Sequence, residues 1–128
     1  MDGIELELMW GHLISIVGEQ AKALKRTAFS PIVREAGDLA TALFDAKARM
    51  VAQALIGTPG HINSLGAAAE NLIREIPVDE LNDGDVLITN DPWMSAGHFF
   101  YITILTPIFR FDRLIGFCGS TIHHTDIG

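Results

Sequence analysis

The segment spanning residues 86–128 constrains the fold of this chain more than any other. It holds three of the five histidines, His98, His123 and His124. Two alternating apolar runs of about eight to ten residues each flank a turn-like Phe-Asp-Arg at 111–113, a pattern typical of two strands joined by a turn. A hairpin that leaves after His98 and returns before His123 brings these two imidazoles to the same end of a sheet. We therefore expect the chemistry of this chain at that end.

The composition indicates one globular domain. The 128 residues are 48% hydrophobic and 20% charged, which is typical of a chain that folds around its own core. The net charge of −7 argues against nucleic acid or an anionic membrane as partner, because both require a basic surface. The single cysteine, Cys118, fits a reducing compartment. With no basic amino-terminal signal and no apolar run near the ~18 residues of a membrane span, we expect a soluble, cytoplasmic protein.

Three further segments predict the remaining architecture. Residues 4–28 carry apolar side chains at helical spacing and predict an amphipathic helix. Residues 39–56 are rich in alanine, which favours a helix, yet their turn-like centre favours the β-hairpin that we prefer. A second helix is expected over 65–76, capped by Asn63 or Ser64. The predicted fold is α+β: an amino-terminal amphipathic helix and a second helix packed on a mostly antiparallel sheet of hairpins, as a fragment of a larger domain.

Three residues besides these histidines are candidates for acid–base catalysis. His61 follows the chain break GTPG at 57–60, where it can point into a pocket or bond to loop carbonyls. Glu35 lies in a short polar connection, where it lines a site or forms part of a surface turn. Asp91 lies in the loop Asn-Asp-Pro-Trp, directly after a predicted strand.

The histidine pair itself predicts either a metal site or a structural contact. Two imidazoles, here His98 and His123, with a nearby carboxylate are the usual ligands of a divalent transition metal. An open coordination position on such an ion polarises a carbonyl or activates water. Histidines in a loop at the end of a sheet are as often satisfied by backbone hydrogen bonds, so the spacing leaves both interpretations open.

Seven short motifs occur along the chain in a fixed order. They are SPIVRE at 30–35, GD at 37–38, GHINS at 60–64, GDVLITNDPW at 84–93, GH at 97–98, TPIF at 106–109 and HHTDIG at 123–128. This ordered set resembles the amino-terminal part of the hydantoinase B/oxoprolinase family, which includes N-methylhydantoinase B subunits, 5-oxoprolinase and the acetone carboxylase alpha subunit. The resemblance implies that residues 1–128 are the amino-terminal part of such a domain, truncated at its carboxyl end.

The resemblance also implies a reaction and a partner. Members of this family hydrolyse cyclic amides such as hydantoin, N-methylhydantoin or 5-oxoproline at the expense of ATP, and the acetone-carboxylase-like members act on a ketone. An A-type subunit or domain binds ATP, so a hetero-oligomer is expected. The chain itself has no GxxxxGK[ST] phosphate loop.

A divalent metal of the Mn, Zn or Fe type is the cofactor that the resemblance implies. Its ligands correspond to His98, a carboxylate three positions later, and His123, but the middle position is Tyr101. Three interpretations stay open: Asp91 or Asp126 supplies the carboxylate, Tyr101 binds as a phenolate, or the site is lost and the chain is a non-catalytic paralogue or scaffold. The ligand set expected here is His98, His123 and Asp126.

Overall fold

The computed structural model describes residues 2–127, which form two α-helices and one five-stranded sheet. All neighbouring strands are antiparallel, in the order β2-β1-β5-β4-β3. The prediction of an α+β fold is confirmed. Among the described residues, neither helix combines the length and the apolar character of a membrane span. The elements are α1 (Gly3–Thr27), β1 (Leu39–Asp45), β2 (Met50–Gln53), α2 (Pro59–Glu75), β3 (Leu87–Thr89), β4 (Tyr101–Arg110) and β5 (Arg113–His123), with a π-helical turn at Ile32–Ala36 and a 3-10 turn at Val78–Glu80.

Strand β1 has a core on each of its faces. Leu39 and Leu43 pack in one apolar cluster with residues of α1, whereas Ala42 and Phe44 pack in a second cluster with residues of α2. Because successive side chains of a strand point to opposite faces, the two helices cover opposite faces of the sheet. This arrangement leaves the ends of the strands as the place where polar side chains can gather.

The alanine-rich segment 39–56 forms the predicted hairpin of β1 and β2. Asp45 closes its turn by accepting the backbone N–H groups of Lys47 and Arg49 at 2.9 and 3.0 Å. Small side chains suit a strand that is covered on both faces, so packing outweighs the helical preference of alanine here.

Helix α2 begins at Pro59, six residues before the predicted start at Leu65. That boundary was wrong because Pro59, preceded by glycine and threonine, looked like part of a chain break. Proline is well suited to the first turn of a helix, where its missing N–H costs no hydrogen bond. His61 therefore lies in the first turn of α2, where its backbone N–H donates to the carbonyl of Thr58 at 2.9 Å.

Strands β4 and β5 form the predicted long hairpin. Its two turn residues, Phe111 and Asp112, have φ angles of 50° and 59°, as a two-residue turn with left-handed backbone requires. From there the register runs to Tyr101, which pairs with His123 at the opposite end. The hairpin thus places the start of β4 beside the end of β5.

Candidate active site

Three parts of the chain meet at the end of the sheet where β4 begins and β5 ends. Tyr101 opens β4 opposite His123, and His61 comes from the first turn of α2. Asp38 directly precedes β1, and its carbonyl accepts the backbone N–H of His123 at 3.2 Å. Gly37, with a φ angle of 70°, provides the left-handed turn that leads into Asp38.

A short hydrogen-bond network links Asp38, His61 and Tyr101, which we name the Asp38 cluster. The Tyr101 hydroxyl donates to Asp38 Oδ2 at 2.6 Å and lies 2.7 Å from His61 Nε2. His61 Nε2 is 2.8 Å from Asp38 Oδ1, and the Thr58 hydroxyl donates to the same oxygen at 3.0 Å. The side chains of His61 and Asp38 are only 17% and 18% exposed, so water screens these contacts weakly.

The network shifts the pKa values of its two acids in opposite directions. Burial raises the pKa of the Asp38 carboxyl, but hydrogen bonds from Tyr101 and Thr58, with the nearby His61 and His123, bring it below its usual value. Burial, followed by the hydrogen bond to Asp38 and its charge, raises the pKa of the Tyr101 phenol above its usual value. The pair therefore consists of a carboxylate and a neutral phenol, which disfavours Tyr101 as a phenolate ligand.

Acid should weaken the Asp38 cluster. Since the pKa of Asp38 is lower in the folded chain, its stabilising contribution is fully present above the unfolded value of about 3.9 and is lost as the pH falls through the folded value. Asp38→Asn should lower the free energy of unfolding by about 1–3 kcal/mol near neutral pH and by much less at about pH 2.5, as measured by urea denaturation.

The matched control for this substitution is Asp112→Asn. Asp112 is exposed in the turn at the far end of the hairpin, where asparagine also tolerates a left-handed backbone. We expect its free energy of unfolding to change by less than about 0.5 kcal/mol. An equal loss of stability for Asp38→Asn at both pH values would contradict the charge-dependent role of Asp38.

His98 and His123 lie beside the ring of Tyr101. The ring centroids of His98 and His123 are 4.6 and 5.2 Å from that of Tyr101 and 5.7 Å from each other. The predicted approach of the two imidazoles at one end of the sheet is therefore found. The backbone N–H of Phe100 donates to His98 Nδ1 at 3.2 Å, which assigns the proton of the neutral His98 ring to Nε2. Within residues 2–127, His123 Nδ1 is buried and has no hydrogen-bond partner.

The other sequence-predicted acids are exposed. Asp91 Oδ1 accepts the backbone N–H of Trp93 at 2.8 Å in an exposed turn. Glu35 is exposed on the π-helical turn, and Asp126 is exposed beyond the end of β5. The Asp38 carboxylate lies 2.8 Å from the His61 imidazole.

The residues at this site do not fit the divalent metal that the sequence implies. Among residues 2–127 no three His, Cys, Asp or Glu side chains are arranged to hold a metal ion, so the set His98, His123 and Asp126 is not assembled. Both carboxylate oxygens of Asp38 already accept hydrogen bonds, and the neutral phenol of Tyr101 is a poor ligand.

Sequence reasoning missed Asp38 as a site residue, although a signal was present. Asp38 belongs to the GD motif at 37–38 and directly precedes the predicted hairpin 39–56. Pairing of that hairpin with the returning strand, as Leu39 with Ile122 in the structure, carries the preceding acid to His123.

Comparison with known proteins decides the family. The sequence model described as hydantoinase B/oxoprolinase matches residues 2–128. The chain belongs to the hydantoinase B/oxoprolinase family.

Two relatives within the hydantoinase B/oxoprolinase family illustrate the breadth of the match. The 5-oxoprolinase of Saccharomyces cerevisiae is 35% identical over 131 residues, which cover 100% of this chain and 10% of that protein. The caprolactamase subunit beta of Pseudomonas jessenii is 30% identical over 128 residues, covering 100% of this chain and 22% of the relative. The chain thus spans about a tenth to a quarter of the length of such relatives.

Two solved structures share the fold. The nucleotide-free structure of acetone carboxylase superposes with a TM-score of 0.82 at 27% identity, covering 95% of this chain and 16% of that chain. The ATP-dependent caprolactamase of Pseudomonas jessenii also has a TM-score of 0.82, at 28% identity, and the match covers 100% of this chain and 22% of that chain.

Proposed function

We propose that this chain is part of a B-type subunit that hydrolyses cyclic amides in an ATP-dependent reaction. The observation that carries the proposal is the Asp38 cluster, in which a half-buried imidazole is held by a carboxylate next to two further histidines. Support comes from the family, whose relatives include proteins named 5-oxoprolinase and caprolactamase. An acid–base site of this kind suits the addition of water to an amide carbon.

The proposal assigns ATP to a partner. A ring amide is a poor electrophile, and phosphorylation of its oxygen makes the carbon far easier to attack. The sequence has no GxxxxGK[ST] phosphate loop, so an A-type subunit or domain would bind ATP and phosphorylate the substrate. The names of relatives as subunits agree with such a hetero-oligomer.

His61 is the proposed general base. Because the Tyr101 hydroxyl donates its proton to Asp38 Oδ2, its oxygen accepts from His61 Nε2–H, which assigns the lone pair of the neutral His61 ring to Nδ1. In our proposal Nδ1 takes a proton from the attacking water as the water oxygen bonds to the amide carbon. The Asp38 carboxylate orients the ring and stabilises the imidazolium that forms, while the hydroxyl of Tyr101 holds the other carboxylate oxygen. Asp38 and Tyr101 are thus positioning residues.

His98 is the proposed hydrogen-bond donor to the reacting group. The backbone contact at Nδ1 leaves the His98 Nε2–H to donate, and the exposed ring lies beside Tyr101, as does that of His61. An N–H aimed at the oxygen that gains charge stabilises the tetrahedral intermediate. The proton held by His61 then passes to the ring nitrogen as the C–N bond breaks, which leaves an acyl phosphate. A second water hydrolyses this acyl phosphate to the carboxylate and inorganic phosphate. The product is an open-chain amino acid.

Reconstitution tests this proposal. The full chain would be co-purified with its A-type partner and supplied with ATP and each of hydantoin, N-methylhydantoin, 5-oxoproline and caprolactam. We expect ring opening of at least one substrate, with ADP formed in parallel and neither product formed without ATP. An intact complex that opens none of these rings would contradict the proposal.

Two other functions have an observation in their favour. The likeness to acetone carboxylase favours an acetone-carboxylase-like alpha subunit, which would consume ATP only with a ketone and bicarbonate. Tyr101 occupies the position where the family resemblance implies a carboxylate. This replacement favours a scaffold that keeps the subunit contacts but does not catalyse the reaction. Such a scaffold would co-purify with the partner and leave the partner's ATP consumption independent of the cyclic amide.

A further inference from the structure

The segment GTPG at 57–60 leads directly into the candidate active site. Thr58 immediately precedes α2, and His61 is the third residue of that helix. A threonine in this place normally uses its hydroxyl to accept a backbone N–H of the first turn, which stabilises a helix by about 1 kcal/mol. Within residues 2–127 the Thr58 hydroxyl makes no such bond and donates instead to Asp38 Oδ1 at 3.0 Å. The chain forgoes a local contribution to stability where it builds the site.

The main chain of Thr58 bonds to both segments that carry the acid–base pair. Its carbonyl accepts the backbone N–H of His61 at 2.9 Å. Its own N–H donates to the carbonyl of Leu39, the residue after Asp38, at 3.0 Å. Because the N–H of His61 is satisfied by a carbonyl, the hydroxyl of Thr58 can serve the carboxylate. One residue therefore connects the start of α2 to the start of β1.

Gly57 allows Thr58 to come this close to β1. Its φ angle is 127°, in a region that residues with a side chain rarely adopt. A Cβ atom at this position would collide with the carbonyl oxygen of Leu39, the same oxygen that accepts the N–H of Thr58. Glycine is therefore required where the two segments meet, and the backbone itself brings Thr58 to Asp38.

The hydroxyl of Thr58 fixes the orientation of the Asp38 carboxylate. This group rotates about a single bond, and Asp38 has to present Oδ1 to His61 Nε2, which lies 2.8 Å away. The Thr58 hydroxyl holds Oδ1 and the Tyr101 hydroxyl holds Oδ2, so the plane of the carboxylate is set. Although burial raises the pKa of Asp38, both hydrogen bonds lower it, because both donate to the charged form.

We propose that Thr58 is a positioning residue of the reaction, whose hydroxyl orients the Asp38 carboxylate towards His61 and so supports the imidazolium that forms during proton transfer. The inference rests on the proposed function, because it takes His61 as the base. It makes the GTPG segment a part of the site rather than a connection. Thr58 acts through Asp38 and does not contact the substrate, so its loss should slow the chemical step without weakening substrate binding.

Two substitutions at position 58 separate the hydroxyl from the rest of the residue. Thr58→Val removes the donor but keeps the shape, and valine suits the extended backbone there, with φ of −92° and ψ of 117°. Thr58→Ser keeps the donor. In the reconstituted complex, with ATP and a ring that wild type opens, Thr58→Val should lower kcat at least about tenfold and leave KM within about twofold. Thr58→Ser should retain kcat to within about threefold.

Thr27→Val is the matched control. It removes an exposed hydroxyl that donates to carbonyls within α1, and it should leave kcat and KM unchanged. Three results would overturn the role of the Thr58 hydroxyl: full activity of Thr58→Val, a rise of KM alone in that variant, or an equal loss of kcat in Thr58→Ser. If Thr58→Val does not fold, Thr58→Ala removes the same hydroxyl and is judged by the same three results.

An NMR measurement separates this inference from the function on which it rests. The carboxyl-carbon signal of Asp38 and the ring-nitrogen signals of His61 report the contact in the full chain without turnover. We expect both to shift in Thr58→Val and to stay near their wild-type positions in Thr58→Ser. Such shifts, with a complex that opens no ring, would keep Thr58 as the residue that orients Asp38 and refute the hydrolase proposal. Unchanged signals and unchanged kcat in Thr58→Val, with a complex that opens a ring, would do the reverse.

Discussion

Tyr101→Phe should lower the rate of ATP-dependent ring opening about a hundredfold or more, while the fold is kept. The substitution removes the hydroxyl that donates to Asp38 at 2.6 Å and lies 2.7 Å from His61 Nε2. The proposed base then loses part of the support that orients it. Because Tyr101 is 4% exposed and Asp38 loses a donor, we also expect about 1–3 kcal/mol less stability. The measurements are kcat, KM and a denaturation curve for the reconstituted complex.

The pH profile of kcat/KM distinguishes a role of Tyr101 in positioning the base from a general loss of stability. Tyr101→Phe should shift the apparent pKa of the base that controls kcat/KM, since the surroundings of His61 change. The control is Thr103→Val, which also removes a buried hydroxyl from β4. Thr103 lies two residues after Tyr101, on the same face of the strand. The Thr103 hydroxyl contacts Ser95 and Thr121 rather than the Asp38 cluster. Equal losses of kcat in both variants, with unchanged pH profiles, would mean that Tyr101 acts only on stability.

The part of the site that follows from local signals was predictable from the sequence. Alternating apolar residues on both sides of Phe111 and Asp112 determine the hairpin of β4 and β5, and the length of its arms places His123 near His98. These signals lie within one continuous segment, so no information about distant pairing is needed. The same locality explains why helix α1 was predicted to within a residue at each end.

The acid of the site depends on distant pairing and could not be located in this way. Asp38 reaches His123 only because β1 pairs with β5 across about eighty residues of chain, and many registers between two apolar strands are compatible with their sequences. His61 joins the cluster because α2 begins at Pro59. The sequence predicted a chain break at this position rather than the start of a helix.

Tyr101→Asp should create a divalent-metal site where the wild-type chain has a hydrogen-bond network. The resemblance to the family places an aspartate at this position, and His98 and His123 already lie beside it. Without metal, a second carboxylate near Asp38 replaces a donor by a like charge, so the variant should be less stable than wild type. With Mn²⁺ or Zn²⁺ at about one hundred times its dissociation constant, the variant should regain about 2.7 kcal/mol. Thermal denaturation with and without the metal measures both effects.

Tyr101→Asn is the matched control, because it also removes the phenol but adds no charge. If the carboxylate is what the site lacks, metal should stabilise Tyr101→Asp and leave Tyr101→Asn and wild type unchanged. Metal analysis after gentle purification should then find less than about 0.1 equivalent in wild type and close to one equivalent in Tyr101→Asp. A full equivalent of metal in wild type would contradict the description of the site, since Asp38 and Tyr101 would have to exchange their mutual hydrogen bond for bonds to the ion.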